Sequence, residues 1–386
     1  MKQLLCILLS MVILCGCNAV PTHSPSDSVR QTTGNTTAYH STDETNTTTE
    51  KPDPLLELLS AMTIEEQVGQ LFLARCPDAG AMEAIQNCHL GGFVLFGRDF
   101  AGETPQSLTQ TLQDYQQTSK IPMLIAVDEE GGTVNRISSY SAFRDNPFPS
   151  PRKLYAQGGM SAVLEAEEEK CTLMQSLGIN VNLAPVCDIT TNPAAFMYDR
   201  SLGQSPEITG NFIASACQLY RENQTGCVLK HFPGYGDNTD THVAIAVDNR
   251  SLEALESQDL VPFAAGIRAG CGAIMVSHVY INALDTAMPA TLSAPVHQYL
   301  RGNMNFDGVI ITDDLAMAAI ADTYGAGEAA VLAVLAGNDM LAVSDYAVQY
   351  AAVLQAVKDG RISDAQLKAA VYRILSWKAE LGLLSA

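Results

Sequence analysis

The stretch KHFPGYGDNTDTH, Lys230 to His242, holds two histidines, two aspartates and a lysine around a Pro-Gly and a second Gly. It is too polar for a core strand and has the wrong spacing for an amphipathic helix. An imidazole that titrates near neutral pH, two residues from a carboxylate that can fix its tautomer, suits acid/base work. His231, Asp240 and His242 are residue types that also bind zinc, but the chain has no HExxH, no HxH and no cysteine-based ligand spacing. A phosphate site would need a Gly-rich loop with more Arg or Lys. No metal and no organic cofactor are expected.

The same kind of residue recurs at the ends of apolar runs. PMLIAV leads into Asp128, NLAPV into Cys187-Asp188, CVL into Lys230-His231, AIMV into Ser277-His278, and GVIIT into Asp313-Asp314. One polar strand end is ordinarily a cap or a loop ion pair. Five in one chain predict a polar pocket at one face of a sheet. Carboxylates with an ionisable histidine and few cations suit chemistry on an uncharged substrate, and glycoside hydrolysis is the commonest such case.

The elements that must position these groups follow from periodicity. Seven near-continuously apolar runs read as strands: 91–96, 122–127, 179–186, 227–232, 272–278, 308–312 and 339–343. Helical segments lie between them, at 104–119, 159–178, 207–224 and 251–270, and the tail 360–384 reads as an outer helix. Strands buried on both faces and alternating with helices predict a parallel α/β fold. No Walker loop and no GxGxxG follows a strand, so a (β/α)8 TIM-type barrel is preferred to a nucleotide-binding sheet. A single catalytic domain over 54–386 is expected, without internal repeats.

The N-terminus reads differently. Lys2 precedes an apolar run, Leu4 to Leu14, that is too short to span a bilayer and suits an export signal. The run ends in LCGC, which resembles the bacterial lipoprotein signal, with Cys17 as the residue to be lipidated; an ordinary secretory signal is the alternative. Residues 1–17 are thus expected to be a signal, and 18–53, rich in Thr, Ser and Asn, a disordered linker. The expected place is the outer face of the bacterial cell membrane, with membrane contact only through a lipid anchor. A net charge of −20 disfavours nucleic acid as a partner. The seven cysteines beyond the signal region, an odd number, read as buried free thiols.

The motifs resemble glycoside hydrolase family 3, in its β-N-acetylglucosaminidase branch, whose signature is usually written KHFPGHGD…DSH. GGFVLFGRDF, AVDEEGGTVNRI, NLAPVCDI, YDRSLG, MVSHVYINALD…PATLS, GVIITDDLAM and AGNDMLAVS are similar to the family's other blocks, in the family's order, over roughly residues 54 to 386. The resemblance implies a retaining exo-β-N-acetylglucosaminidase. Asp313 would be the nucleophile and His242 the acid/base, with Asp240 as its dyad partner, while Asp314 would be structural. Asp128, Arg200, Lys230 and His231 would bind the sugar hydroxyls. The substrate would be a GlcNAc-containing glycan or peptidoglycan fragment, and a monomer is expected. With no second domain expected, the acid/base would come from the barrel's own loop. Departures from the family pattern are Tyr235 for the second His of the signature, a DNTDTH stretch one residue short, and Glu129 and Thr133 where Gln and Arg are usual. Alternatives are a phosphorylase, since a neutral His does not repel phosphate, a β-glucosidase or β-xylosidase, and a silent sugar-binding lipoprotein.

Overall fold

The computed structural model describes residues 53–238 and 246–385. The signal, Cys17 and the linker lie outside the described residues, as do Asp240 and His242.

Eight parallel strands form one sheet. In chain order they are β1 (Phe72–Arg75), β2 (Gly92–Leu95), β3 (Leu124–Val127), β4 (Val181–Asn182), β5 (Gly226–Phe232), β6 (Ala273–Val276), β7 (Val309–Thr312) and β8 (Leu341–Val343). Neighbours in sequence are neighbours in the sheet, and β8 pairs with β1 through Phe72↔Leu341. A parallel bridge between Ile311 and Met340 joins the remaining edges and closes the barrel. Thr312 completes this seam: its amide donates to Met340 O at 3.0 Å, and its hydroxyl accepts from the Ala342 amide at 2.9 Å. The TIM-type barrel expected from the pattern is therefore the observed fold.

The strands are apolar throughout because helices cover their outer faces and side chains fill the interior. Leu124, Ile125, Ala126 and Val127 are fully buried, as are Val309, Ile310 and Ile311. The helices start where the sequence signals them. Thr104, Ser150 and Ser205 each cap a helix whose first residue is proline.

Three boundaries differ from the sequence reading. β1 was not among the seven expected runs, because its four residues follow directly on the helix Ile64–Gln70 and merge with that helix's apolar pattern. The run at 179–186 contributes only two ladder residues, then a lone bridge from Val186 to Lys230. The segment 251–270 is two helices, Leu252–Ser257 and Leu260–Arg268. Gln258 breaks it (φ −128°, ψ −85°), and the next residue, Asp259, is buried with its carboxylate 2.6 Å from Arg250.

The tail forms the outer helix Asp364–Glu380. Trp377 packs against Gly226 and Gly272, at the N-terminal ends of β5 and β6. Lys378 on the same helix is fully buried and donates to Gln70 Oε1 at 2.6 Å. Among the described residues, no helix is long and apolar enough to cross a membrane.

Lys378 gives a testable pH dependence. Burial depresses its pKa from 10.5 to about 7. Between those values the unfolded chain binds a proton that the folded chain lacks, so stability should rise with pH from about 7 to about 10 and fall towards neutrality. Urea unfolding across that window should show the rise in the wild type and a shallower slope in Lys378→Met; equal slopes would contradict the assignment.

Candidate active site

At the C-terminal ends of the strands lies a cleft of about 490 Å³. Asp128, Arg200, Lys230, His231, Asp313 and Asp314 all line it. Val94, Leu183, Met275 and Ala342 supply apolar wall. All four sequence-expected sugar-binding residues and Asp313 are thus brought together from separate strands and loops.

Lys230 projects from β5 and is almost fully buried. Its Nζ sits 2.6 Å from Asp128 Oδ1 and 2.7 Å from Glu130 Oε1. Arg200 grips the same Glu130 through both carboxylate oxygens, at 2.9 Å and 2.7 Å. Burial works to raise the Glu130 pKa, but Arg200 and Lys230 outweigh it and hold the carboxyl far below the usual carboxylate range. Glu130 was not singled out from sequence. The signal was present, in the second glutamate after the strand end, but nothing in the stretch DEEGG says which of its three carboxylates turns inward.

His231 is oriented from both sides. Its Nδ1 lies 2.8 Å from Asp188 Oδ2, and its Nε2 lies 3.3 Å from an Arg200 nitrogen. Guanidinium only donates, so Nε2 accepts and the Nδ1 hydrogen goes to Asp188. Asp188 also takes the amides of His231 (3.1 Å) and Tyr235 (2.7 Å). The residue thus shapes the turn after β5 from beneath, without itself lining the cleft. At that turn Gly234 has φ +128° and a Cβ there would clash with Asp259, which accounts for the glycine.

Asp313 follows β7 and its amide donates to Val276 O at 3.0 Å. Its Oδ1 accepts from the Asp314 amide at 2.9 Å. Burial alone would raise its pKa, but the His278 ring, the Asp314 amide and Lys230 more than offset this and keep it below the ordinary value. His278 sits one layer behind the cleft. Its Nε2 meets the Asp314 carbonyl at 2.9 Å, and its Nδ1 meets Thr291 Oγ1 at 2.7 Å. Thr291 in turn donates to Ser277 O at 2.5 Å, so both ring nitrogens face acceptors, an arrangement that suits an imidazolium.

Asp314 differs from its neighbour. Its carboxylate accepts from the Ala316 amide at 2.9 Å and from the Ser344 hydroxyl at 2.8 Å. Burial pushes its pKa up. The two adjacent aspartates are therefore separated chemically: Asp313 is held ionised, and Asp314 ties the segment after β7 to the end of β8.

Three of the departures from the family signature, Glu129, Thr133 and Tyr235, lie among the described residues. Glu129 is fully buried and accepts from the amides of Arg136 (2.8 Å), Ile137 (2.7 Å) and Ser138 (3.3 Å), so it fixes the loop after β3 from within. Tyr235 packs edge-on to His231 with ring centroids 5.3 Å apart. Thr133 lines the cleft. Arg75 and Arg136, which sequence reading did not select, also line it and lie over the Phe96 ring, with centroid distances of 4.5 Å and 5.7 Å.

The described flanks of the segment bearing Asp240 and His242 are anchored. On one side Asp237 accepts from Thr190 Oγ1 at 2.6 Å. On the other, Val247 and Asp248 pair with Tyr280 and Ile281, and Arg250 binds both Asp248 and Asp259 at 2.6 Å. The candidate zinc ligands of the sequence reading include two residues outside the described region. Among the described residues the grouping suited to a metal lies elsewhere, at Cys217, Cys227 and Cys271.

The family model described as the glycosyl hydrolase family 3 N-terminal domain matches residues 63–377. A β-hexosaminidase of Xylella fastidiosa (strain M23) is 38% identical over 256 residues, covering 64% of this chain and 74% of the relative. One from Xanthomonas oryzae pv. oryzae is 34% identical over 300 residues, covering 76% of this chain and 88% of the relative. The solved family 3 β-N-acetylglucosaminidase from Paenibacillus sp. str. FPU-7 superimposes with a TM-score of 0.78 at 34% identity. That match covers 84% of this chain and 64% of the Paenibacillus chain, so this chain spans just under two thirds of that protein.

The ion-pair cluster predicts an asymmetry. Removing Glu130 leaves Lys230 and Arg200 buried with one carboxylate partner fewer, and breaking such a buried arrangement costs about 3–5 kcal/mol. Glu130→Ala should therefore lower unfolding stability in urea by about that much. Asp128→Ala should cost clearly less, because Asp128 is 16% exposed and Lys230 keeps Glu130. Equal losses would refute the ranking.

Proposed function

The chain belongs to glycosyl hydrolase family 3, and from that footing we propose that it removes terminal β-linked N-acetylglucosamine with retention of configuration. The observation that carries the reading is an Asp313 carboxylate kept ionised in the same cleft as the Asp128–Lys230–Glu130–Arg200 cluster. The β-hexosaminidase relatives and the Paenibacillus structure support the choice of an amino sugar.

In this reading Asp128, Arg200, Lys230 and His231 grip the sugar hydroxyls, and their mutual ion pairs hold them in place before substrate arrives. The Asp313 carboxylate attacks the anomeric carbon. The glycosidic C–O bond breaks, and the leaving oxygen takes a proton from His242. A glycosyl ester on Asp313 results. In the second step His242 takes a proton from water, the water oxygen attacks the anomeric carbon, and the ester bond returns its electron pair to Asp313. Asp240 orients His242 and favours its protonated form. No metal or organic cofactor takes part.

The natural substrates we infer are amino-sugar glycans outside the membrane, peptidoglycan fragments among them. This follows from the export and lipidation reading of residues 1–17. Under it, Cys17→Ser should shift the protein from the membrane fraction into the medium; an unchanged distribution would count against the lipid anchor.

Turnover of an aryl β-N-acetylglucosaminide in phosphate-free buffer tests the chemistry. Release should be fast, should exceed that from the aryl β-glucoside, and should vanish in Asp313→Ala. In His242→Ala it should persist only with a leaving group activated enough to depart without a proton. Activity that requires phosphate would make the enzyme a phosphorylase, and turnover that survives in Asp313→Ala would remove the nucleophile assignment.

A further inference from the structure

At the opposite end of the barrel from the active cleft, three sulfurs converge. Cys217 lies on the helix Pro206–Glu222, Cys227 on β5, and Cys271 just before β6. All three are buried, and their Sγ atoms lie within 4.8 Å of one another. The Cys217 and Cys227 sulfurs are 3.9 Å apart. Single buried cysteines are ordinary small apolar filler. Three whose sulfurs meet from three separate elements form a cluster of a different kind.

A second observation gives the cluster access. A cleft of about 200 Å³ opens at the N-terminal ends of β5 and β6, and Cys217 and Cys227 form part of its wall together with Arg221, Trp377 and Glu380. Two of the three thiols thus line an opening that shares no residue with the larger cleft.

We propose that Cys217, Cys227 and Cys271 form a three-thiolate site for a divalent ion of the zinc class, with its fourth position open to this second cleft. A zinc–thiolate bond is about 2.3 Å, so three sulfurs around one ion stand about 3.8–4.0 Å apart. The present spacing needs only side-chain adjustment to reach that. Thiolates without imidazole or carboxylate in the set select soft d10 ions over magnesium or calcium. Charge favours a divalent over a monovalent ion. Three thiolates around a dication leave one net negative charge, around a monocation two, and Arg221 is the cation in the cleft wall. Binding exchanges protons for metal: three Cys–SH groups and one dication give a tris-thiolate complex and three protons released to solvent. The Cys271 thiol, which donates to Ala273 O at 3.0 Å, gives up that hydrogen bond. The ion would tie the helix Pro206–Glu222 to β5, the strand that delivers Lys230 and His231 at its other end.

Cadmium(II) is the probe, because its thiolate complexes absorb in the ultraviolet by sulfur-to-metal charge transfer. Titrated into the fully reduced whole chain, it should produce this band with an endpoint at one ion per protein. Calorimetry in two buffers of different ionisation enthalpy should show proton release. The band should be lost in Cys227→Ala and in the size-conserving Cys217→Ser, and kept in Cys171→Ala, with far-ultraviolet circular dichroism showing that each variant is folded. No band in the reduced wild type, or a band of the same size in folded Cys217→Ser, would overturn the site. So would a Cys217–Cys227 disulfide that persists under the reducing conditions of the titration.

Discussion

The structure depends most on one buried carboxylate, Glu130, held between Lys230 and Arg200. Two cations and two acids packed this closely repay the cost of leaving water only if every member is paired. That requirement fixes three chain segments at once: the turn after β3, the end of β5, and the loop carrying Arg200. The hydroxyl-binding geometry proposed for the cleft follows from it, because the groups that would meet a sugar already hold one another in place. The interaction adds little net stability by itself, since desolvation offsets most of the attraction, but it leaves few other arrangements open.

A layer of neutral and charged hydrogen bonds supports this cluster from below. Asn182, at the end of β4, accepts from the Glu129 amide (3.0 Å) and donates to its carbonyl (3.2 Å) and to Tyr220 (2.8 Å). Tyr220 donates to Glu167 at 2.7 Å, and Lys170 bridges Glu167 to the Glu130 carbonyl at 2.7 Å and 2.9 Å. The backbone that aims Asp128 and Glu130 is therefore pinned from β4 and two helices. Gly131 belongs to the same constraint. With φ +97° and Pro149 packed against it, the turn has no room for a side chain. Asp188 and His278 act in the same way, one layer behind His231 and Asp313. Of five polar strand ends visible in the sequence, three supply the lining of the cleft, and these two hold that lining in position.

How much of this could be read in advance depended on the range of the interaction. Apolar runs and Ser-Pro or Thr-Pro starts are local signals, so most strands and helices were legible. β1 was hidden because a four-residue strand adjoining a helix has no period of its own. The break at Gln258 was hidden because the buried Asp259 beside it pairs with Arg250, a residue outside the run 251–270. The polar groups at strand ends marked Asp128, Lys230, His231 and Asp313 as one face of a barrel. Glu130 and Asp188 were harder, since a carboxylate becomes a hub only through partners distant in the chain: Lys230 and Arg200 for Glu130, His231 and Tyr235 for Asp188.

The sequence alone determined the alternation of strand and helix, hence the barrel, and the placing of ionisable groups just past the strands, hence the face that carries the polar cleft. Both are properties of neighbouring residues and need no knowledge of distant ones. The tertiary structure alone decided which carboxylate of DEEGG meets both Lys230 and Arg200, and why the pKa of Asp313 is lowered while that of its neighbour Asp314 is raised. It also decided that the sulfurs of Cys217, Cys227 and Cys271 meet. Protonation and ion pairing depend on burial and on charges brought within a few ångströms by closing the barrel, and no local pattern encodes them.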